Sequence, residues 1–191
     1  MAYQVIYADP PWSYSGSGTP AAKRPCLERG ERQHSVNHYY DTLTLDEICD
    51  MAPPVAADAL LFLWTTNPML PDSFRVIDDW GFKYKTCITW HKLRCKGMGY
   101  WFRGHTEHLL LGVRGAVKSF RSLQPNIVSL PVHKHSEKPL FFIELIESVT
   151  QDLPRKLEMF GRRRREGWDI LGNQVAEDLF TPILEGRSQN E

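Results

Sequence analysis

Ala59-Leu60-Leu61-Phe62-Leu63-Trp64 is an unbroken apolar run of strand length, the pattern of a β-strand covered on both faces. Such a strand needs helices on either side of its sheet, which points to an α/β architecture. The flanking sequence agrees. Upstream, Tyr3–Ala8 reads as a buried strand running straight into Asp9-Pro10-Pro11-Trp12. A long loop rich in Gly, Ser and Pro then extends from Ser13 to about Asn37. Thr44-Leu45-Asp46-Glu47 has the form of a capping box that opens a short helix reaching about Met51. Downstream, Leu70, Phe74 and Ile77 recur at i, i+4, i+7 opposite Asp72, Arg75, Asp78 and Asp79, an amphipathic helix ending near Gly81. Tyr84–Trp90 and His108–Val113 read as strands, separated by a basic, Gly-containing loop over Lys92–Gly104. Phe142, Leu145, Ile146 and Val149 make a second helical stripe, and Lys156–Phe160 a further strand. The expected fold is a mostly parallel sheet with helices on both faces. It forms a single domain over residues 1–180, followed by a polar, flexible tail over 181–191.

A chain of 191 residues is long enough for one core of its own. No apolar run approaches the length of a membrane span, and the N-terminus lacks the basic stretch and apolar core of a signal peptide. Lys plus Arg and Asp plus Glu number 23 each, so the formal net charge is zero. That excludes a protein that coats nucleic acid by bulk charge but leaves room for local basic patches. Cysteines stand at 26, 49, 87 and 95 with no C-x-x-C pair, so free thiols in a reducing cytoplasm are expected. Seven histidines include His133-x-His135 and His105-x-x-His108, but no cysteine stands at ligand spacing and no metal is expected.

In sheets of this kind ligands gather at the carboxyl ends of the strands. Asp9, Thr65, His91 and Gly161 all fall just past a predicted strand end, and Asp9-Pro10-Pro11-Trp12 is the most informative of these stretches. Two consecutive prolines fix φ and remove two backbone donors, leaving a rigid turn of acceptors. The aspartate adds carboxylate oxygens that only accept hydrogen bonds when ionised. An exocyclic amine on a purine needs that set, because its lone pair is delocalised into the ring. The Asp9 carboxylate and the Pro10 carbonyl can hold its two N–H groups, favour a pyramidal nitrogen and free the lone pair to attack a sulfonium methyl. Trp12 is expected to form an aromatic wall that stacks a base flipped out of its helix. The plain structural alternative makes this a simple loop with Trp12 as a lid over the core.

These residues resemble the MT-A family of adenine-N(6) methyltransferases, whose elements appear in order along residues 3–176. They are Ala8-Asp9-Pro10-Pro11-Trp12, Tyr40-Asp41-Thr42-Leu43-Thr44, Leu61-Phe62-Leu63-Trp64-Thr65-Thr66, Trp90-His91-Lys92 and Gly104-His105-Thr106-Glu107-His108. His135-Ser136-Glu137-Lys138-Pro139, Leu157-Glu158-Met159-Phe160-Gly161-Arg162 and Trp168-Asp169-Ile170-Leu171-Gly172-Asn173-Gln174 complete the series. The resemblance implies a Rossmann-like class I methyltransferase fold that uses S-adenosyl-L-methionine. It implies that Asp9, Pro10, Pro11 and Trp12 hold the target adenine, with Asp9 also touching the methyl donor. Lys138 would meet the donor's carboxylate, Phe160 and Arg162 would flank the cofactor, and Asn173 and Gln174 would contact its ribose and adenine. Tyr40 and Glu107 would line the acceptor pocket. Two departures stand out. Larger members carry an acidic segment upstream of this motif that closes over the cofactor's adenine, and only eight residues precede Asp9 here. Arg162-Arg163-Arg164-Arg165 is also more basic than in those members, with Arg164 where a His is usual.

Three segments offer phosphate contacts: Lys23, Arg24, Arg29 and Arg32 in the first loop; Lys92, Arg94, Lys96 and Arg103 among Tyr100, Trp101 and Phe102 in the second; and Arg162–Arg165. Cations interleaved with aromatics suit backbone pairing with base stacking, so Arg94, Lys96, Trp101 and Arg103 are expected to bind substrate. The resemblance is to small stand-alone members that look bacterial or phage-like, which implies DNA over RNA as substrate and a cytoplasmic enzyme of a bacterial or phage-infected cell. Amide methylation of a protein favours Asn-Pro-Pro-Tyr, which is absent. A catalytically dead nucleic-acid-binding subunit would not need an intact Asp9-Pro10-Pro11-Trp12.

Overall fold

The computed structural model describes residues 2–13, 42–97, 101–120, 122–132, 137–161 and 164–171. Seven strands form one sheet: β1 (Tyr3–Ala8), β2 (Val55–Thr66), β3 (Lys83–Leu93), β4 (Thr106–Arg114), β5 (Ile127–Pro131), β6 (Lys156–Met159) and β7 (Trp168–Leu171). Their spatial order is β5-β3-β4-β2-β1-β6-β7. β4 runs antiparallel to both neighbours, β2 and β3, and the remaining pairs are parallel. This is the α/β sheet with helices on both faces expected from the apolar runs, and it agrees with the Rossmann-like fold that the resemblance implies. On one face α1 (Leu45–Asp50) and α2 (Leu70–Asp79) bury Ile48, Cys49, Val76 and Ile77 against Ile6, Leu61, Leu63 and Leu157. On the other, α3 (Leu140–Val149) buries Phe142, Ile143 and Ile146 against Tyr7, Phe62, Trp64 and Trp90.

Local chemistry explains the element ends. At α1 the Thr44 hydroxyl accepts from the Glu47 amide, and the Glu47 carboxylate accepts from the Thr44 amide and hydroxyl, the reciprocal capping box read from the sequence. These bonds hold the Glu47 carboxyl below its ordinary pKa. α2 stops at Asp79, and the chain turns through Gly81 at φ 79°, a left-handed value that favours glycine.

Several expectations are corrected. β2, β3 and β4 extend beyond the predicted apolar cores, so Thr65, His91 and Lys92 lie within strands. Phe74 is 40% exposed and packs edge-on against Tyr84, while Ser73 is buried in its place. The Ser73 hydroxyl satisfies itself on Thr65 and on the Met69 carbonyl, which lets a polar residue occupy the core face. In α3, Ile143 joins Phe142 and Ile146 in the core, whereas Leu145 and Val149 are half-buried. β5 and β7 were not anticipated. Both are short, at five and four residues, and alternate burial too weakly to stand out from turns.

Candidate active site

The strand order fixes where a ligand can enter. From β1 the chain crosses to β2 on one side, and from β6 it crosses to β7 on the other. The crevice between the carboxyl ends of β1 and β6 is therefore a topological switch point, the place where open α/β sheets bind ligands. Asp9 leaves β1 there, with its amide pointing at the Met159 carbonyl at 3.5 Å. Phe160 and Gly161 leave β6 beside it.

The Asp9-Pro10-Pro11-Trp12 turn is pinned from several directions. The Trp12 amide donates to the Pro10 carbonyl (2.9 Å), and the Leu43 amide donates to the Pro11 carbonyl (2.9 Å). The Ser13 amide donates back to the Leu43 carbonyl (3.1 Å). The Trp12 indole N–H donates to the Trp64 carbonyl across 3.1 Å. Trp12 is only 6% exposed and belongs to the core. Its ring packs into the core rather than standing as an open aromatic wall, which is what the plain alternative of a lid over the core describes. Trp12 anchors the turn to the end of β2. Among the described residues the Pro10 carbonyl accepts this one bond from the Trp12 amide, and a carbonyl oxygen carries two lone pairs.

Asp9 itself faces the opening, with its side chain 32% exposed. The Lys138 ammonium donates to both of its carboxylate oxygens at 2.7 Å and lies 3.5 Å from the Glu107 carboxylate. The Lys92 ammonium pairs with the other Glu107 oxygen. Four charges thus alternate, Asp9–Lys138–Glu107–Lys92, and sum to zero. Lys138 sits 5.3 Å above the Trp64 ring and Lys92 5.2 Å above that of Trp90, cation–π distances that add support in a poorly hydrated place. Burial alone would lower the Lys138 pKa, but the Asp9 and Glu107 carboxylates outweigh it and hold the ammonium above its ordinary value. Lys138 is therefore a cation at any pH of use. Below the cluster the Trp64 indole donates to the Tyr7 hydroxyl at 2.8 Å, and burial pushes the Tyr7 phenol far up, so it stays neutral.

The β6 side of the crevice is tight and polar. Phe160 has φ 62°, a left-handed value that a bulky side chain adopts only when its surroundings impose it. A Cβ on Gly161 would lie 2.7 Å from Ile170 Cδ1, so only glycine lets β6 and β7 meet there. Glu158, in register with Tyr7, has a buried Oε2 without a hydrogen-bond partner, as does Arg165 Nε 4.0 Å away. Burial pushes the Glu158 carboxyl up, Arg165 opposes that rise and Asp9 adds to it. A switch-point crevice lined by the Asp9 carboxylate, the Lys138 ammonium and the left-handed Phe160 fits a polar ligand at the strand ends.

Among the residues expected to form a site, the structure gathers Asp9, Pro10, Pro11, Lys138, Glu107 and Phe160. Tyr40, Arg162, Asn173 and Gln174 lie outside the described residues, as do Cys26, His133 and His135 and the first-loop cations. Lys92 was read as a phosphate-binding loop cation, whereas it forms an ion pair at the centre of the site. It lies within β3 two residues beyond Trp90, whose register partner is Glu107, a pairing that the sequence alone does not display. Burial and the Asp79 side chain push the Cys49 thiol up to about 12, so it is an inert core thiol.

Residues 3–174 match the MT-A70 family model. The chain is similar to the type II methyltransferase M.MunI of Mycoplasma sp., with 33% identity over 96% of this chain and 82% of that protein. It is also similar to the N(6)-adenosine-methyltransferase catalytic subunit METTL3 of Homo sapiens, with 29% identity over 91% of this chain but 28% of that longer protein. A putative N(6)-adenosine-methyltransferase of Medicago truncatula gives 27% identity, again over 91% of this chain and 26% of its own length. The matched span runs from the first residue of β1 through β7 and so takes in Asp9, Glu107, Lys138 and the β6 turn: the chain belongs to the MT-A70 family.

Proposed function

We propose that this protein transfers a methyl group from S-adenosyl-L-methionine to the 6-amino group of adenine in nucleic acid, with DNA as the polynucleotide. The observation that carries the reading is the Asp9 carboxylate at the β1–β6 switch point, held on both oxygens by Lys138. A carboxylate offers about four lone-pair sites, so Asp9 keeps capacity for one adenine N–H while Lys138 fixes its orientation. The other lone pair of the Pro10 carbonyl takes the second N–H. With both hydrogens directed at fixed acceptors, the nitrogen lone pair is turned out of conjugation and aimed along one line. The bound donor supplies an electrophilic methyl group on sulfur. Lys138, Asp9 and Phe160 would hold the donor, Lys138 by meeting the donor's carboxylate. The preference for DNA draws on M.MunI, the relative whose length this chain largely spans.

Expression followed by mass spectrometry of nucleosides from host DNA and RNA tests the reading, beside an Asp9→Ala control. N(6)-methyladenine should rise in DNA and vanish with the control. A rise confined to RNA would move the substrate, and no rise in either would overturn the proposal.

A further inference from the structure

Trp101 and Phe102 are 92% and 89% exposed, adjacent in sequence, and stand in the β3–β4 connection at the same sheet edge as Asp9. Single exposed apolar residues need no explanation, but two neighbouring large aromatics held in water do. The described residues of this connection brace one another. Arg94 adopts φ 59° and Gly97 φ 56°. The Arg103 guanidinium donates to the Lys96 carbonyl at 3.1 Å, tying one limb of the connection to the other. The limbs are in contact: a Cβ on Gly97 would meet the His105 ring at 2.6 Å and the Gly104 carbonyl at 3.1 Å. At the base the Lys92 amide donates to the His105 carbonyl at 2.8 Å, and the Lys92–Glu107 ion pair belongs to the catalytic cluster. A braced stem thus rises from the active site and presents two aromatic rings, six residues or at most ~20 Å of chain from Glu107.

We propose that Trp101 and Phe102 form a wedge that enters a nucleic-acid duplex and occupies the space vacated when the target adenine is extruded toward Asp9. The proposal rests on the adenine-methyltransferase reading above and adds to it that the substrate is double-stranded. Apolar side chains inserted at a base step replace lost stacking, and an extruded base must otherwise leave its neighbours unstacked. Arg94, Lys96 and Arg103 around the stem supply the phosphate contacts that would seat it. The surrounding positive charge, in a chain of zero net charge, selects a polyanion over an apolar protein surface as the occupant.

The test uses the full chain, labelled S-adenosyl-L-methionine and an amplified, unmethylated DNA library of random sequence. The library is offered as duplex and, after heating, as single strands that cannot find their complements. Single strands need no extrusion, so the wedge matters for the duplex alone. In the double variant Trp101→Ala/Phe102→Ala the ratio of duplex to single-strand methylation should fall about 10- to 100-fold, the range expected for losing aromatic–base stacking. Trp101→Phe/Phe102→Tyr should restore most of it. An unchanged ratio overturns the wedge, as does a wild-type protein that labels only single strands or only RNA copies of the library. A change in oligomeric state on sedimentation, with the ratio intact, would make the pair a subunit contact and also overturns it. If the wild-type protein labels no nucleic acid at all, the underlying methyltransferase reading falls and takes the wedge with it.

Discussion

Replacing Lys138 by Met removes the cation that neutralises Asp9 and faces Glu107 while keeping most of the apolar stem over Trp64. Two unit charges about 4 Å apart interact by about 4 kcal/mol at an effective dielectric of 20, and Lys138 lies closer than that to both carboxylates. Part of this is already spent on desolvation, since its side chain is only 13% exposed. Breaking a buried pair by deleting one partner costs about 3–5 kcal/mol. Asp9 keeps 32% exposure, so water repairs some of the loss, and about 2–3 kcal/mol is expected. For a chain of this size that lowers Tm by roughly 5–10 °C. Asp9→Asn should cost less, because Lys138 keeps Glu107 as a partner. The double variant Lys138→Met/Asp9→Asn should then be more stable than the sum of the two, by about 1.5 kcal/mol. Urea denaturation of all four proteins gives this coupling directly. Methyl transfer by Lys138→Met should drop about 100-fold, because an Asp9 carboxylate without this two-oxygen clamp no longer meets the amine in one geometry. A coupling below about 0.5 kcal/mol would mean that the two side chains act independently, and the account of Lys138 as the group that fixes Asp9 would be refuted.

Trp12→Phe keeps the apolar body but leaves the Trp64 carbonyl without its indole donor; a loss of about 1–2 kcal/mol in urea is expected, with transfer reduced more than cofactor binding. Gly161→Ala places a methyl group against Ile170 and should cost about 1–3 kcal/mol, partly recovered by adding Ile170→Ala; no recovery would mean the strain lies elsewhere. The His108 imidazole accepts from the Thr89 hydroxyl and donates to Asn67 Oδ1. Burial holds its pKa below 6.5, with Glu107 opposing that shift. A depressed folded pKa means the unfolded chain binds the proton more readily, so stability should be level above about pH 6.5 and fall below it. His108→Gln should flatten that fall when urea midpoints are compared between pH 7.5 and 5.5.

The parts of the fold legible in the sequence were those whose pattern is local. Ala59–Trp64 announces a strand buried on both faces by its length and composition, and Thr44 and Glu47 announce a helix start because the capping box closes within three residues. β5 and β7 carried no such signal. Their ladder partners are β3 for β5, some forty residues away in the chain, and β6 for β7, a parallel pairing that local pattern does not announce. Ser73 was unreadable for the same reason: its hydroxyl is harmless in the core only because Thr65 and the Met69 carbonyl are there to bond it. The antiparallel placement of β4 between β2 and β3 is a property of three strands at once, and apolar periodicity does not encode strand direction.

The active site shows the same division more sharply. Asp9 and Pro10, proposed here to hold the amine, stood out by their types, because a rigid turn of acceptors has few structural uses, whereas Lys138 was singled out by the family resemblance. Their partnerships were not legible, and the partnerships alter the chemistry. A carboxylate in an acceptor-only turn looks idle until a base arrives, yet here Lys138 occupies it across 129 positions of sequence. Trp12 looked like a pocket wall because an aromatic after two prolines is equally suited to facing outward or inward. Its indole finds the Trp64 carbonyl 52 residues away, and that one bond decides for inward. The outcome strengthens the catalytic argument. An acceptor must hold still for an amine to be pyramidalised against it, and a turn bolted to β2 through a buried indole and to Leu43 through two backbone bonds can do so. A turn whose tryptophan was free to stack on substrate would have surrendered that fixity at the moment of reaction.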